Sequence, residues 1–133
     1  MTILLDTHVV LWWQAGGERL STGARRAIDD ADAILVSPLS LWEIATLERR
    51  GRLALDRDPM TWSRDLLRGS RMDVAQTDPV AAAWAGTLSD AFPGDSIDRL
   101  LYATARDLRV PFVTKDELMR AYAAAAGDVV VIW

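Results

Sequence analysis

The chain predicts a three-layer α/β sandwich: a central, mostly parallel sheet flanked by helices on both faces. Short apolar runs recur along it, among them Ile3-Leu4-Leu5, Ile34-Leu35-Val36 and Pro111-Phe112-Val113, each of strand rather than helix length. Amphipathic or alanine-rich stretches of helical length separate these runs, and strands separated by helices pair in parallel. At 133 residues the chain has the length of one domain, so residues 1–133 are expected to share one fold.

The first strand spans Ile3–Asp6 and turns through Thr7-His8 into a helix over about Val9–Ala15. A second helix follows a cap at Ser21 or Thr22, and Ile34–Val36 is the second strand. Ser37-Pro38 reads as an N-cap with proline in the first helical position. That helix runs to about Arg50, where Gly51 stops it. Asp58-Pro59 and Asp78-Pro79 have the same form and open helices to about Arg68 and Leu88, with a strand at Met72–Ala75 between them. The polar loop Ser89–Asp95 leads into a helix over about Ile97–Leu108. A strand at Pro111–Val113, a short helix at Asp116–Tyr122 and a last strand at Val129–Trp133 complete the order.

Composition narrows the setting. There is no cysteine, hence no disulfide framework and no thiolate metal site, which fits a reducing compartment. No apolar run approaches the length of a membrane span and no signal peptide is visible, so a cytoplasmic protein without membrane contact is expected. The net charge of −4 argues against a nonspecific nucleic-acid coat. If Asp6, Glu43, Asp98 and Asp116 are set aside from the 19 acids, the rest equal the 15 Lys and Arg. Every one of those cations but Lys115 is arginine, which suits phosphate contact but equally follows from a GC-rich genome.

The chemistry is carried by acids at strand ends. Asp6 closes the first strand, and Asp116 follows Phe112-Val113-Thr114 within a few residues. Ligands bind at this edge in parallel α/β folds. Asp98 lies in the first turn of its helix behind Pro93-Gly94-Asp95-Ser96. Glu43 sits inside a helix between Leu39 and Leu47, a charge on an otherwise apolar face. Converging carboxylates repel unless a divalent cation neutralises them, and oxygen ligands with no cysteine and one histidine point to Mg²⁺ or Mn²⁺ rather than Zn²⁺. Each acid also has a capping reading: Asp6 on the first helix, Asp116 on Glu117–Tyr122, Asp98 as a third-position acid behind an Asp95 cap, and Glu43 in a box with Ser40. Pro38 argues against the last, because it makes Ser37 the cap.

The motifs carry a resemblance. Leu4-Leu5-Asp6-Thr7-His8, with Leu11-Trp12-Trp13 after it, resembles the start of PIN-domain proteins of the VapC type, the toxins of toxin–antitoxin pairs. Ser37-Pro38-Leu39-Ser40-Leu41-Trp42-Glu43-Ile44-Ala45 with Gly51-Arg52-Leu53 resembles their second motif, Gly94–Leu101 their third, and Val113-Thr114-Lys115-Asp116 their fourth. This chain has Ser96-Ile97 where that family often has Pro-Phe, and Lys115 where it often has Arg; neither departure removes an acid.

The resemblance implies a metal-dependent endoribonuclease with Asp6, Glu43, Asp98 and Asp116 as its acids. Mg²⁺ or Mn²⁺ would be held by Asp6 and Asp98, assisted by Glu43, Asp116 and Asp95, and would activate water for an in-line displacement at phosphate. Thr7 and Thr114 are candidates to orient metal waters, or else strand-end and capping residues; Arg99 is a candidate to meet an RNA phosphate or to pair with Asp95 or Asp98. A cognate antitoxin, an RNA substrate and a second copy of the chain are the implied partners, with Trp13, Leu47 and the exposed side of the second-motif helix as candidate contacts. Transfer RNA is the suggested substrate, with messenger and ribosomal RNA open. Most of the six tryptophans are expected in the core, though the adjacent Trp12 and Trp13 cannot both be fully buried on one helix. A direct catalytic role for His8 is the lesser reading, since metal-activated water needs no histidine. Two other functions compete: a catalytically silent PIN-fold module that binds RNA or protein, and a haloacid-dehalogenase-type phosphatase, which needs a second Asp where His8 stands.

Overall fold

The computed structural model describes residues 1–133. Five strands and seven helices alternate: β1 Thr2–Leu5, α1 Thr7–Gln14, α2 Thr22–Asp30, β2 Ala33–Val36, α3 Pro38–Arg49, α4 Pro59–Leu67, β3 Met72–Val74, α5 Pro79–Thr87, α6 Ser96–Leu108, β4 Phe112–Val113, α7 Glu117–Ala126 and β5 Val131–Ile132. The sheet is parallel throughout, in the order β3-β2-β1-β4-β5. Leu4 is central, in register with Leu35 on one side and Phe112 on the other.

Period-two alternation divides the strand residues between two cores. Ile3, Leu5, Ile34, Val36 and Val113 face a cluster with Val9, Val10, Ile28, Ile44 and Trp62, so α1–α4 cover that side. Leu4 and Phe112 face the opposite cluster with Leu101, Tyr102 and Met119, beneath α6 and α7, while Leu35 packs against its margin. The sandwich therefore has the three layers expected. No helix is long and apolar enough to cross a membrane.

Helix starts follow the cap chemistry. Ser37 accepts from the Leu39 N–H at 3.1 Å with Pro38 next, and Asp58 and Asp78 cap α4 and α5 in the same way. Several expected boundaries move, β3 ending at Val74 and β4 starting at Phe112 among them. Asp6 stands outside β1 as the cap of α1, which begins at Thr7. Helix α7 continues past Tyr122 to Ala126, because its alanines favour helix until Gly127 ends it at φ 71°. The last strand shortens to Val131–Ile132.

Candidate active site

The chain adds β2 and β3 on one side of β1, then crosses back to add β4 and β5 on the other. The crevice beyond the ends of β1 and β4 is thus the switch point of the sheet, where side chains from two separate chain segments meet. Asp6 follows β1, while Thr114, Lys115 and Asp116 follow β4. Helices α3 and α6 touch and bring Glu43, Asp95 and Asp98 to the same place. The resulting cavity, about 380 Å³, is lined by these five carboxylates with His8, Thr114 and Lys115, and by no hydrophobic residue.

Capping and cleft geometry coincide at three of the four acids expected from the sequence. Asp6 Oδ1 accepts from the Thr7 N–H at 2.8 Å, and its Oδ2 accepts from the Thr114 hydroxyl at 2.6 Å. Thr114 Oγ1 accepts in turn from the Asp116 N–H at 3.2 Å, and Asp116 caps α7 by accepting from the Met119 N–H at 3.0 Å. Asp95 and Asp98 form a reciprocal box at the start of α6: the Asp98 N–H donates to Asp95 Oδ1 at 2.9 Å, and the Asp95 N–H to Asp98 Oδ2 at 3.0 Å. Gly94 permits that box, since a Cβ there would lie 2.5 Å from Asp98 Cβ. Glu43 makes no such cap; Ser37 opens its helix, and the Ser40 hydroxyl is turned to Thr7.

Burial, with a smaller contribution from neighbouring like charge, raises the titration of two of the acids. Burial pushes the Asp98 carboxyl up to about 7 against the pull of the Asp95 N–H, and the nearby charges of Asp6 and Asp95 add to the rise. Asp6 is also held above the ordinary carboxylate range by burial, although the hydrogen bonds from Thr114 and Thr7 oppose that shift. No three acidic or histidine side chains stand close enough to grip one ion directly as they are placed. Joint ligation therefore requires side-chain rotation or a bridging water. The donor set itself, all carboxylate oxygens in a polar cavity, suits a hard divalent cation.

The remaining candidates divide. Thr114 lines the cavity, whereas Thr7 is 1% exposed and turned inward to Ser40. Arg99 neither lines the cavity nor pairs with Asp95 or Asp98. Its guanidinium donates to the Leu88 and Ser89 carbonyls at 2.5 and 2.9 Å and lies over the Phe92 ring, bracing the loop before α6. Lys115 is in the cleft instead, its Nζ 5.3 Å from the Trp12 ring centroid and in no ion pair. The one signal for it in the sequence is that it is the only lysine among arginines, directly before Asp116.

A larger groove of about 870 Å³ adjoins the cleft, sharing His8 with it. Leu11, Trp12, Leu47, Leu53 and Trp62 give it an apolar wall, and Arg19, Arg52 and Arg57 are among its polar residues. Of the adjacent tryptophans, Trp12 lines the groove while Trp13 does not. Trp62 is buried and Trp12, Trp13, Trp84 and Trp133 pack half-buried against the two cores, so most tryptophans meet the core as expected, whereas Trp42 is 60% exposed. Helix amphipathicity accounts for this: the buried positions of α3 are Ser40 and Ile44, which leaves Trp42 on the outer side.

This fold is that of a PIN domain. The family model described as PIN domain matches residues 3–125, and the chain belongs to the PIN-domain family. Ribonuclease VapC22 of Mycobacterium tuberculosis (strain ATCC 25618 / H37Rv) is 40% identical over 121 residues, covering 91% of this chain and 92% of that protein. Among solved structures, the Mycobacterium tuberculosis VapC20 toxin, described as cleaving the sarcin-ricin loop, aligns with TM-score 0.65 and 17% identity over 96% of each chain. A chain of the VapBC2 complex of Rickettsia felis bound to promoter DNA aligns with TM-score 0.65 and 12% identity, over 98% of this chain and 97% of that one. The structural likenesses speak for the fold.

Proposed function

We propose that residues 1–133 act as one PIN-like unit, a divalent-metal-dependent endoribonuclease that is the toxin of a toxin–antitoxin pair in the cytoplasm. The observation that carries this reading is the cavity at the β1–β4 switch point, lined by Asp6, Glu43, Asp95, Asp98 and Asp116. The 40% identity to a VapC ribonuclease over 91% of the chain supports the substrate class and the toxin role. When bound, Mg²⁺ or Mn²⁺ supplies the activation of water and the neutralisation of charge developing on phosphate.

The chain's own groups do the rest. Thr7 and Thr114 fix both oxygens of Asp6, so it presents a set lone-pair direction to the cleft. The box with Asp95 orients Asp98 in the same way. A carboxyl titrating near 7 gives up its proton readily to a competing cation, so cation binding and proton release are coupled. Lys115, free of ion pairs, is the cleft's ammonium for an RNA phosphate, a role that the loop contacts of Arg99 do not suit. The groove beside His8 suits an apolar antitoxin segment, with Leu47 and Trp12 in its wall.

The test is cleavage of transfer, messenger and ribosomal RNA with Mg²⁺ or Mn²⁺, controlled by EDTA and by Asp6→Asn and Asp98→Asn. Cleavage lost in all three controls is the expected result. Cleavage that survives them removes the metal-dependent reading, and no cleavage of any RNA favours a binding module of the same fold.

A further inference from the structure

Thr7 and Ser40 meet in the interior without lining the carboxylate cleft. Thr7 Oγ1 donates to Ser40 Oγ at 3.0 Å, across 33 residues of chain. The two residues are 1% and 0% exposed. Burying two hydroxyls costs desolvation that an apolar pair of the same shape would avoid, so packing alone does not require them. What the bond does is fix one distance, from the start of α1 to the first turn of α3. Thr7 directly follows Asp6, and its backbone N–H holds Asp6 Oδ1. Ser40 stands about one helical turn before Glu43, so the Glu43 backbone moves with it. Thr114 secures Asp6 from the β4 side, but it leaves α3 untouched.

We propose that Ser40 is a positioning residue whose hydrogen bond with Thr7 fixes the backbone of Glu43 relative to that of Asp6, so that both carboxylates can turn onto one divalent cation. The inference rests on the metal-dependent reading above. It makes the buried hydroxyl pair, rather than the acids alone, responsible for bringing α3 into the site.

The experiment measures Mn²⁺ binding to the full chain by calorimetry and electron paramagnetic resonance, with thermal melts alongside. Wild type is compared with Ser40→Ala, Thr7→Val and Thr7→Ser, and Ser40→Ala is repeated in a Glu43→Gln background. Ser40→Ala and Thr7→Val are expected to weaken Mn²⁺ binding roughly tenfold, as loss of a ligand's supporting contact does. Thr7→Ser keeps the hydroxyl and binds as wild type. In the Glu43→Gln background, Ser40→Ala adds less than roughly a twofold loss, because the residue through which it acts is already disabled. Wild-type affinity in Ser40→Ala or Thr7→Val overturns the proposal, as does a full tenfold loss that persists without Glu43. If Ser40→Ala does not fold, Thr7→Val against Thr7→Ser makes the same comparison. No Mn²⁺ binding by the wild type overturns the metal reading itself, and this proposal with it.

Discussion

Thr114 donates its hydroxyl to Asp6 Oδ2 at 2.6 Å, joining residues 108 positions apart in the chain. The bond spans the ends of two adjacent strands, and Thr114 Oγ1 in turn accepts from the Asp116 N–H. One side chain thereby sets two carboxylates relative to each other and eases the burial of the first.

Thr114→Val keeps the shape and removes both roles. Asp6 then loses the side-chain bond that opposes its burial, so its carboxyl titrates higher still. The expected cost is about 1–3 kcal/mol of stability from the groups left unpaired. Cleavage or Mn²⁺ affinity falls roughly tenfold. Urea denaturation and Mn²⁺ titration check the two parts separately.

Asp98 makes stability depend on pH. Its carboxyl titrates at about 7 in the fold against an ordinary 3.8. Between those values the folded chain binds more protons than the unfolded one, so stability falls as pH rises. The favourable contribution is whole below the ordinary value and is lost as pH passes through about 7. In EDTA, Asp98→Asn should flatten this slope and raise the midpoint at pH ~8, where the charged carboxylate is most costly. A wild-type denaturation midpoint that does not change over that range would contradict the raised titration of the buried Asp98 carboxyl.

Added Mg²⁺ acts in the opposite direction. A ligand that binds only the folded state stabilises it by mass action, and here it competes with protons. The melting temperature should therefore rise more with Mg²⁺ at pH ~8 than at pH ~5. Differential scanning fluorimetry at both values reads this. An equal rise at both pH values would place the ion away from Asp98 and Asp6.

Tyr102 provides a control outside the cleft lining, on α6 with its hydroxyl turned to Asp128. Its hydroxyl donates to Asp128, which also pairs with Arg106 Nε at 3.4 Å, and burial with the Asp128 charge raises the phenol above its ordinary range. Tyr102→Phe should cost about 2 kcal/mol, as loss of a bond to a charged partner does, yet leave Mn²⁺ affinity unchanged. A loss of Mn²⁺ binding in this variant would mean that global stability, not local geometry, governs the cleft.

Much of this was legible from local patterns. Ser37-Pro38, Asp58-Pro59 and Asp78-Pro79 state their helix starts outright, because a cap and a preset φ act within a few residues. Gly127 marks the end of α7 in the same local way, and the alanines before it extend the helix. Arg99 and Trp42 were harder. Whether a long side chain meets a phosphate or a loop carbonyl depends on residues distant in sequence, as the contacts of Arg99 with Leu88 and Ser89 show.

By itself the amino-acid order determined the alternation of strand and helix, the parallel sheet and the position of Asp6, Asp98 and Asp116 at a strand end or helix start, with Glu43 inside its helix. Periodicity and capping are short-range forces, so they can be read residue by residue. Only the tertiary structure decided that β4 returns beside β1, that Thr114 reaches Asp6, and that Ser40 meets Thr7. Those contacts follow from the order in which strands add to the sheet and from which buried hydroxyls find partners. Both are settled by long-range packing that no local pattern encodes.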